Sequence, residues 1–540
     1  MINVTELDSW HDIDWLEVEH TVRQLRNKIF VASREGDLRK VGNLQKVMMR
    51  SQANRLLAVR RVTQINKGRR TPGIDNKTYE TPAERLQLAK QLVDIRINDW
   101  EPLPAIRVEI PKGKGETRPL GIQAQTDRCL QAVVKNALEP YWEAQFEHYS
   151  FGFRPGRSTM DAITAIFHFL VKGCRPIILD ADIKGAFDNI DQDQVMAAIG
   201  NSPTRFIIRK WLKAGVMVGA DFTPTPTGTP QGGIISPLLA NIALNGMEAA
   251  IGMEKKGKGF PGPVLVKYAD DFVALCRTEV ECKKAKDQIQ DWLTQRGLVM
   301  SEEKTATVHI NDGFDFLGFN IRQYERPATK RRGYQVLIRP AKENVKKIKD
   351  ELREVFKGRR HHKPERLIKE VNAKIRGWAS YYRHVSSSET FHSLDNFLWH
   401  RSWRYAKYRH PNKGKRWVKA KYFDEKWRLT GKDATLLNFS DFKFVRRPIL
   451  RVGASPDNPE EEDYWNKRRS MPTTTLRVKA RLWRWQKGRC EYCTGDLDNG
   501  EEIVVDHRIP KSEGGDPHKL SNKALVHETC HWRKHYSQTA

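Results

Sequence analysis

The amino-acid sequence predicts a multidomain fold that mixes α/β and α+β structure and ends in a small, metal-stabilised domain. The chain has 540 residues, which predicts about three or four domains at roughly 100 to 200 residues each. Short β-rich runs alternate with helical patterns between residues 105 and 325, as in an α/β domain. Three of the seven cysteines, Cys490, Cys493 and Cys530, crowd near the C-terminus. This spacing indicates a metal site and not a disulfide framework.

The charge balance favours a polyanionic partner. Lys and Arg total 94 against 66 Asp and Glu, a formal net charge of +28. Such an excess repels itself in the compact state, and phosphate backbones neutralise it in a salt-dependent way. The alternative is a basic surface that only aids solubility. No apolar run approaches the roughly 18 residues of a membrane helix, and the first ten residues do not resemble a secretory signal. We therefore expect neither membrane insertion nor secretion.

Helical patterns flank the α/β region. Leu44, Val47 and Met48 recur at helical spacing before the helix-breaking Thr71-Pro72-Gly73. A second amphipathic stripe predicts a helix over 341–357, and a basic, Trp- and Tyr-rich region follows to about 450. Residues 455–463 are acidic and contain proline without hydrophobic periodicity, so we predict a linker there. Cys129, Cys174 and Cys276 lie in apolar contexts and are expected to be small core residues.

Two strand ends carry aspartates. Tyr268-Ala269-Asp270-Asp271 lies between two β-rich runs, which predicts a hairpin with carboxylates at its tip. The apolar run 177–182 ends in Asp182. An Asp from each strand, brought together, would hold two Mg²⁺ ions about 3.5 to 4 Å apart for phosphoryl chemistry. An Asp pair alone is weak evidence, because turns are rich in Asp.

The order of motifs around these aspartates strengthens the hypothesis. Seven blocks follow one another at residues 118–122, 150–158, 182–188, 228–237, 268–271, 297–305 and 316–319. Over roughly residues 40 to 325 this series resembles the fingers and palm of group II intron reverse transcriptases. The resemblance implies a right-hand polymerase fold whose fingers, palm and N-terminal helical extension occupy residues 1–325.

The resemblance also implies roles for individual residues. Asp182 and Asp270 are expected to be the main Mg²⁺ ligands, with Asp271 assisting. The expected nucleotide-binding residues are Lys112 and Arg118 on a fingers hairpin, Phe187 under the sugar, Gln231 in a Gly-rich loop, and Lys304 near the triphosphate. Cationic side chains suit a triphosphate, and a ring under the sugar excludes a 2′ hydroxyl. The alternatives are core packing for Phe187 and a solvated side chain for Lys112.

The region that follows resembles the thumb and maturase (X) region of the same family, over residues 326–440. Residues 375–383 carry the resemblance, which 403–405, 409–413 and 417–419 continue. Basic residues interleaved with aromatic ones suit structured RNA, although the aromatic side chains could instead form core. Residues 441–478 occupy the position of the family's DNA-binding region, together with the linker, but contain no motif.

The C-terminal residues 479–540 resemble an HNH endonuclease, the ββα-metal fold. Cys490, Cys493, His527 and Cys530 form two pairs with the spacing of a structural zinc site. A rival zinc set would use His531 and His535, an i, i+4 pair. In the nuclease interpretation, His507 is the general base. Asp506 and His531 would hold one Mg²⁺ or Mn²⁺, and Asn522 would orient the His507 loop or assist the metal. The alternative is a zinc-stabilised DNA-binding module without activity.

Together these resemblances imply an RNA-directed DNA polymerase that binds its intron RNA to promote splicing and nicks target DNA. Its expected partners are group II intron RNA, target DNA and dNTPs, in a bacterial cytoplasm or an organellar matrix. The main alternative is a splicing maturase with a vestigial polymerase or nuclease. An RNA-dependent RNA polymerase and a reverse transcriptase of another lineage are further alternatives. The sequence does not predict the oligomeric state.

Overall fold

The computed structural model describes residues 3–113, 116–255, 259–327, 333–469, 477–497, 499–517 and 519–536. Within these ranges only the backbone is described for Lys112, Gly113, Glu116, Arg477, Lys511 and Tyr536. Four helices begin the chain: α1 (Trp15–Arg34), α2 (Leu38–Arg50), α3 (Gln52–Arg60) and α4 (Pro82–Asp94). Each begins at a capping side chain that accepts backbone N–H groups, namely Asp14, Asp37, Ser51 and Thr81. The predicted helical N-terminal region is confirmed. Thr71-Pro72-Gly73 lies between α3 and α4, outside both helices.

The α/β region follows. Its elements to Ala250 are β1 (Ala105–Gly113), β2 (Glu116–Ile122), α5 (Gln125–Glu143), α6 (Thr159–Leu170), β3 (Ile177–Asp182), α7 (Ala186–Asn189), α8 (Gln192–Ile199), α9 (Arg205–Lys213), β4 (Val216–Val218), β5 (Asp221–Thr223), α10 (Ser236–Ala243) and α11 (Met247–Ala250). Strands β1 and β2 form the predicted hairpin, and their sheet has the order β2-β1-β4-β5. Helix α5 is buried along most of its length against α1, α2 and α3.

A second four-stranded sheet carries the aspartates. It adds β6 (Val264–Tyr268), β7 (Asp271–Cys276) and β8 (Ala306–His309) to β3, in the order β6-β7-β3-β8 with every pair antiparallel. Helix α12 (Glu279–Thr294) packs on β3 and β7. The predicted hairpin at 268–271 is confirmed, and Ala269 adopts a left-handed conformation (φ 59°) at its tip. Cys129 and Cys276 are buried as predicted, but Cys174 is exposed, so its assignment to the core is wrong.

The next region is a small sheet followed by helices. Strands β9 (Phe314–Phe316), β10 (Phe319–Glu325) and β11 (Tyr334–Pro340) precede α13 (Lys342–Gly358), α14 (Pro364–Tyr382), α15 (Ser388–Arg409) and α16 (Lys415–Tyr422). Helix α13 buries Ile348, Leu352 and Val355, the stripe that the sequence predicts. No helix among the described residues is long and apolar enough to cross a membrane.

The segment 444–469, hereafter the strap, returns from the last helices to the start of α6, and it contains α17 (Glu462–Arg469). Its Asp457 is buried and bonds Arg26 of α1 through Oδ1 at 2.7 Å. A Cβ added at Gly156, where φ is +70°, would lie 2.6 Å from the Trp465 ring. The prediction of a linker over 455–463 is therefore wrong. Asp457, whose charge suggests solvation, instead forms a buried ion pair with the distant Arg26.

The C-terminal domain has a hydrophobic cluster of its own. This cluster includes Trp483, Leu525 and Val526. The elements of the domain are α18 (Arg477–Trp485), β12 (Ile503–His507), β13 (Lys523–His527) and α19 (Glu528–Tyr536). The domain docks on the N-terminal helices. Buried Arg60 pairs with both Glu501 and Glu19, and Arg23 pairs with Asp496 at 2.8 Å.

Candidate functional sites

Three carboxylates meet at one end of the β6-β7-β3-β8 sheet. Asp182 ends β3 directly opposite Asp271, the first residue of β7. Asp270 lies in the preceding turn, and its carbonyl accepts the N–H of Ile183 at 3.2 Å. Because β3 ends at Asp182 and its antiparallel partner β7 begins at Asp271, the pairing brings Asp182, Asp270 and Asp271 together. Asp182 is buried, and the other two are half-buried.

This carboxylate cluster requires a cation. Burial, together with the charges of Asp270 and Asp182, raises the pKa of Asp271 to about 7. Burial also raises the pKa of Asp270, to which Asp182 again contributes. Crowded, partly buried carboxylates are costly in their ionised form unless positive charge is added. Oxygen ligands of this kind suit Mg²⁺, so the residues present fit the expected ions.

Lys304 supplies one positive charge, because its ammonium group forms a close ion pair with Asp182 Oδ2. Its backbone N–H donates to Ser301, whose own N–H donates to the Asp182 carbonyl at 2.8 Å. Arg118 is exposed on β2, and its charge lowers the pKa of Asp270. Both basic residues thus lie where they act on the carboxylates. The side chain of Lys112 is outside the described residues.

The Gly-rich loop approaches the fingers hairpin. Gln231 accepts the N–H of Gly121 through its carbonyl and donates from Nε2 to Asp188 Oδ2 at 3.0 Å. Phe187 is half-buried, with its ring 6.1 Å from that of Phe153 in an edge-to-face arrangement. The sequence interpretation overlooked Asp188, whose place in block 182–188 was the available signal.

In the C-terminal domain, Cys490, Cys493, His527 and Cys530 each offer one ligand atom, and these atoms lie within 4.8 Å of one another. The Nδ1 atom of His527 is 3.3 Å from Cys493 Sγ and 3.7 Å from Cys530 Sγ. Tetrahedral zinc with ordinary bond lengths places sulfur and nitrogen about 3.5 Å apart. The other ring nitrogen of His527 lies 3.0 Å from the Asp496 carbonyl, a contact that fixes the ring for a metal at Nδ1. The residues therefore fit zinc.

A second cluster is formed by Asp506, His531 and His535, whose ligand atoms also lie within 4.8 Å. The Nε2 atoms of His535 and His531 are 3.2 and 3.6 Å from Asp506 Oδ1. The rival zinc set of the sequence analysis is thus not assembled, because both histidines face Asp506. His535 was missed as a partner of Asp506. Its i, i+4 spacing from His531, assigned above only to the rival zinc set, was the available signal.

Asp506 is held as an anion. Burial raises its pKa, but hydrogen bonds from Tyr492, the His507 N–H and His535 outweigh this effect and lower it to about 2. The Asp506 carboxylate suits Mg²⁺ or Mn²⁺, whereas the two imidazoles are typical ligands of softer ions such as Zn²⁺ and Fe²⁺, so this mixed set fits Mn²⁺ better than Mg²⁺.

His507 ends β12, one residue after Asp506. Its ring is half-buried and has no hydrogen-bond partner among the described residues. Buried Asn522 holds the loop that follows. It accepts the N–H of Ile509 at 2.9 Å and donates to the carbonyls of Ile509 and Asp516, each at 3.1 Å. Of the two expected roles of Asn522, these contacts favour orientation of the loop.

The aromatic residues of the helical region divide into two groups. Tyr381 and Tyr382 of α14 donate to the carbonyls of Leu317 and Gly318, each at 3.1 Å, and so join this helix to the β9–β10 turn. Trp417 of α16 is exposed, with the ammonium groups of Lys421 and Lys413 at 4.9 and 5.5 Å from its ring. The tyrosines of block 375–383 thus bond to the neighbouring turn, whereas the ring of Trp417 lies beside two lysines.

Four family models match the chain. They are described as reverse transcriptase (RNA-dependent DNA polymerase) over residues 110–321, N-terminal domain of reverse transcriptase over 10–92, group II intron maturase-specific domain over 345–423, and HNH endonuclease over 490–537.

Several curated proteins are similar to this chain. Protein YkfC of Escherichia coli is 32% identical over 48% of this chain and 78% of its own length. The group II intron-encoded protein LtrA of Lactococcus lactis is 30% identical over 50% of this chain and 55% of its own length. An uncharacterized 91 kDa protein in the cob intron of Schizosaccharomyces pombe is 28% identical over 62% of this chain and 50% of its own length. The chain thus spans about half the length of the last two relatives.

Proposed function

Because this chain belongs to the group II intron-encoded reverse transcriptases with maturase and HNH endonuclease domains, we propose that it copies its intron RNA into DNA at a target that it nicks. The polymerase assignment rests on one observation: Asp182, Asp270 and Asp271 lie together at one end of the sheet. Asp182 and Asp270 would hold two Mg²⁺ ions, with Asp271 assisting. Such ions activate the primer 3′ hydroxyl and neutralise charge on the leaving group.

The protein's own residues bind and orient the incoming dNTP. Arg118 and Lys304 take the triphosphate, because both act electrostatically on the aspartates that would hold its metal ions. We assign Lys112 to the triphosphate on sequence grounds alone. Gln231 bridges the hairpin and Asp188 and so shapes the nucleotide pocket. Phe187 lies under the sugar and excludes a 2′ hydroxyl.

The C-terminal domain nicks the target DNA. Asp506, His531 and His535 would hold one Mg²⁺ or Mn²⁺ against the scissile phosphate, and His507 takes the proton from the attacking water. His507 is half-buried and ends β12 directly after Asp506, which supports that role. Cys490, Cys493, His527 and Cys530 would hold structural zinc. Intron RNA binds the thumb and maturase region, where exposed Trp417 and its lysines suit an unpaired base and its phosphates.

Primer extension tests the polymerase assignment. The purified protein, given an RNA template, a DNA primer and Mg²⁺, is expected to incorporate dNTPs and to reject rNTPs. Asp270→Asn is expected to reduce extension at least a thousandfold, whereas Asp312→Asn, an exposed carboxylate after β8, leaves it unchanged. Equal use of rNTPs would indicate an RNA polymerase. Absence of extension by the wild-type protein, with intron RNA still bound, would indicate a maturase without polymerase activity.

A further inference from the structure

The two oxygens of Asp506 face different surroundings. Oδ1 accepts the His507 N–H at 2.8 Å and lies 3.6 Å from Nε2 of His531. Oδ2 accepts a short hydrogen bond from the Tyr492 hydroxyl and lies 3.4 Å from Lys534 Nζ. The Nε2 atom of His535 lies 3.2 Å from Oδ1 and 3.3 Å from Oδ2. Tyr492 and Lys534 therefore contact only Oδ2, whereas Oδ1 faces both histidines.

Tyr492 is itself held by the fold. Its hydroxyl proton goes to Asp506, so the hydroxyl oxygen is free to accept from Lys534 Nζ, which lies 2.7 Å away. The same ammonium group donates to the His507 carbonyl at 3.0 Å and lies 4.9 Å from the centre of the Tyr492 ring. Lys534 thus ties α19 to the end of β12 and to Tyr492.

The position of Tyr492 in the chain links the two metal clusters. It lies inside the Cys490-to-Cys493 turn, which Thr494 closes by donating its N–H to the Cys490 carbonyl at 3.0 Å. Glu491 anchors the same turn to β13 through a 3.1 Å hydrogen bond to Leu525. The turn that supplies two of the expected zinc ligands therefore also positions Tyr492, which donates a hydrogen bond to Asp506.

We propose that Tyr492 is a positioning residue of the nuclease, which holds Asp506 Oδ2 so that Oδ1 is presented with His531 and His535 to the divalent ion. The proposal rests on the proposed nuclease function. Hydrogen-bond partners of metal-ligating carboxylates set ligand orientation, and their removal typically weakens metal binding about tenfold to a hundredfold.

Manganese binding tests this role without relying on activity. Mn²⁺ binding is followed by electron paramagnetic resonance in protein carrying Asp182→Asn, Asp270→Asn and Asp271→Asn, which removes all three polymerase carboxylates. In this background, Tyr492→Phe is expected to weaken Mn²⁺ binding about tenfold. Zinc content should stay the same as that of the parent, which reports an intact turn. Glu491→Gln is the matched control, because it is adjacent, pairs with Arg508 at the surface and makes no contact with Asp506; its Mn²⁺ binding should be unchanged.

Nicking by the full-length protein supplies a second readout. Tyr492→Phe should raise the Mn²⁺ concentration for half-maximal nicking about tenfold, while the rate at saturating Mn²⁺ falls only a few-fold, because excess metal restores the loaded site. A merely structural role would lower the saturated rate and the zinc content together, and this outcome would overturn the proposal. Equal Mn²⁺ affinity in parent and Tyr492→Phe would overturn it and leave the nuclease function standing. If Asp506→Asn removes no Mn²⁺ from the parent, the nuclease site and the proposal both fail.

Discussion

Asp161 is a buried carboxylate of α6 that forms ion pairs with two arginines of the strap. Its side chain is 0% exposed and accepts from Arg447 at 3.2 Å and, more closely, from Arg468. The same carboxylate caps α6, where it accepts the N–H and the hydroxyl of Ser158 at 2.9 and 2.8 Å. One charge therefore joins the strap to the motif of residues 150–158.

The substitution Asp161→Asn keeps the shape and one acceptor oxygen but removes the charge. It leaves Arg468, whose side chain is 5% exposed, without a buried anion. Loss of one partner from a buried ion pair costs about 3 to 5 kcal/mol. Because asparagine can still cap the helix, we expect the lower end, about 3 kcal/mol, which corresponds to roughly a hundredfold change in an opening equilibrium.

Native-state hydrogen exchange measures this opening locally, which suits a protein of several domains. Amide protons of α17 and of the first turn of α6 should exchange about a hundredfold faster in Asp161→Asn. Asp350→Asn is the control, because Asp350 pairs with Arg353 on the exposed surface of α13 and such pairs contribute at most about 1 kcal/mol. Unchanged exchange in both helices of Asp161→Asn would refute the argument that this carboxylate fastens the strap.

Three further predictions concern other parts of the molecule. Burial, assisted by Glu147, raises the pKa of Glu248 to about 7 from 4.5. Between pH 4.5 and 7 the native state thus keeps a proton that the unfolded chain loses. The free energy of unfolding therefore falls as pH rises through this range, by at most about 3 kcal/mol. In Glu248→Gln, the denaturation midpoint should depend less on pH across this range than in the wild type. Cys490→Ser should abolish zinc binding, measured by atomic emission, and nicking, while extension of a supplied primer persists, because the domain has its own core. Asn522→Ala leaves both backbone groups of Ile509 without their side-chain partner, and gel assays should show nicking reduced more than tenfold with zinc retained.

The sequence predicts those parts of the fold that depend on local patterns. Strand β3 ends at Asp182, and the β-rich runs of β6 and β7 flank Asp270 and Asp271, so both the hairpin and the meeting of Asp182 with Asp271 could be predicted from strand geometry. The stripe on α13 repeats at helical spacing and is buried as expected. The ordered motifs identified the family, which the family models and relatives now show.

Features that depend on distant partners could not be predicted in this way. Asp457 is buried because Arg26, more than 400 positions earlier, neutralises it, and nothing local to residues 455–463 signals that pairing. Cys174, by contrast, lies in an exposed turn after α6, and its neighbours Lys172 and Arg175 were a local signal of that exposure. The link from Tyr492 to Asp506 joins a turn to a strand end through a side chain whose direction only the fold determines.

The central claim is that one chain carries two separate active sites that act in succession on target DNA. The most direct measurement combines the protein, its cognate intron RNA, end-labelled DNA with the insertion site, Mg²⁺ and dNTPs. The wild type should nick one strand and extend the new 3′ end. His507→Ala should lose the nick yet extend a supplied primer, and Asp270→Asn should nick without extending. If His507→Ala nicks as well as the wild type, or Asp270→Asn still extends, the assignment of the two sites is contradicted.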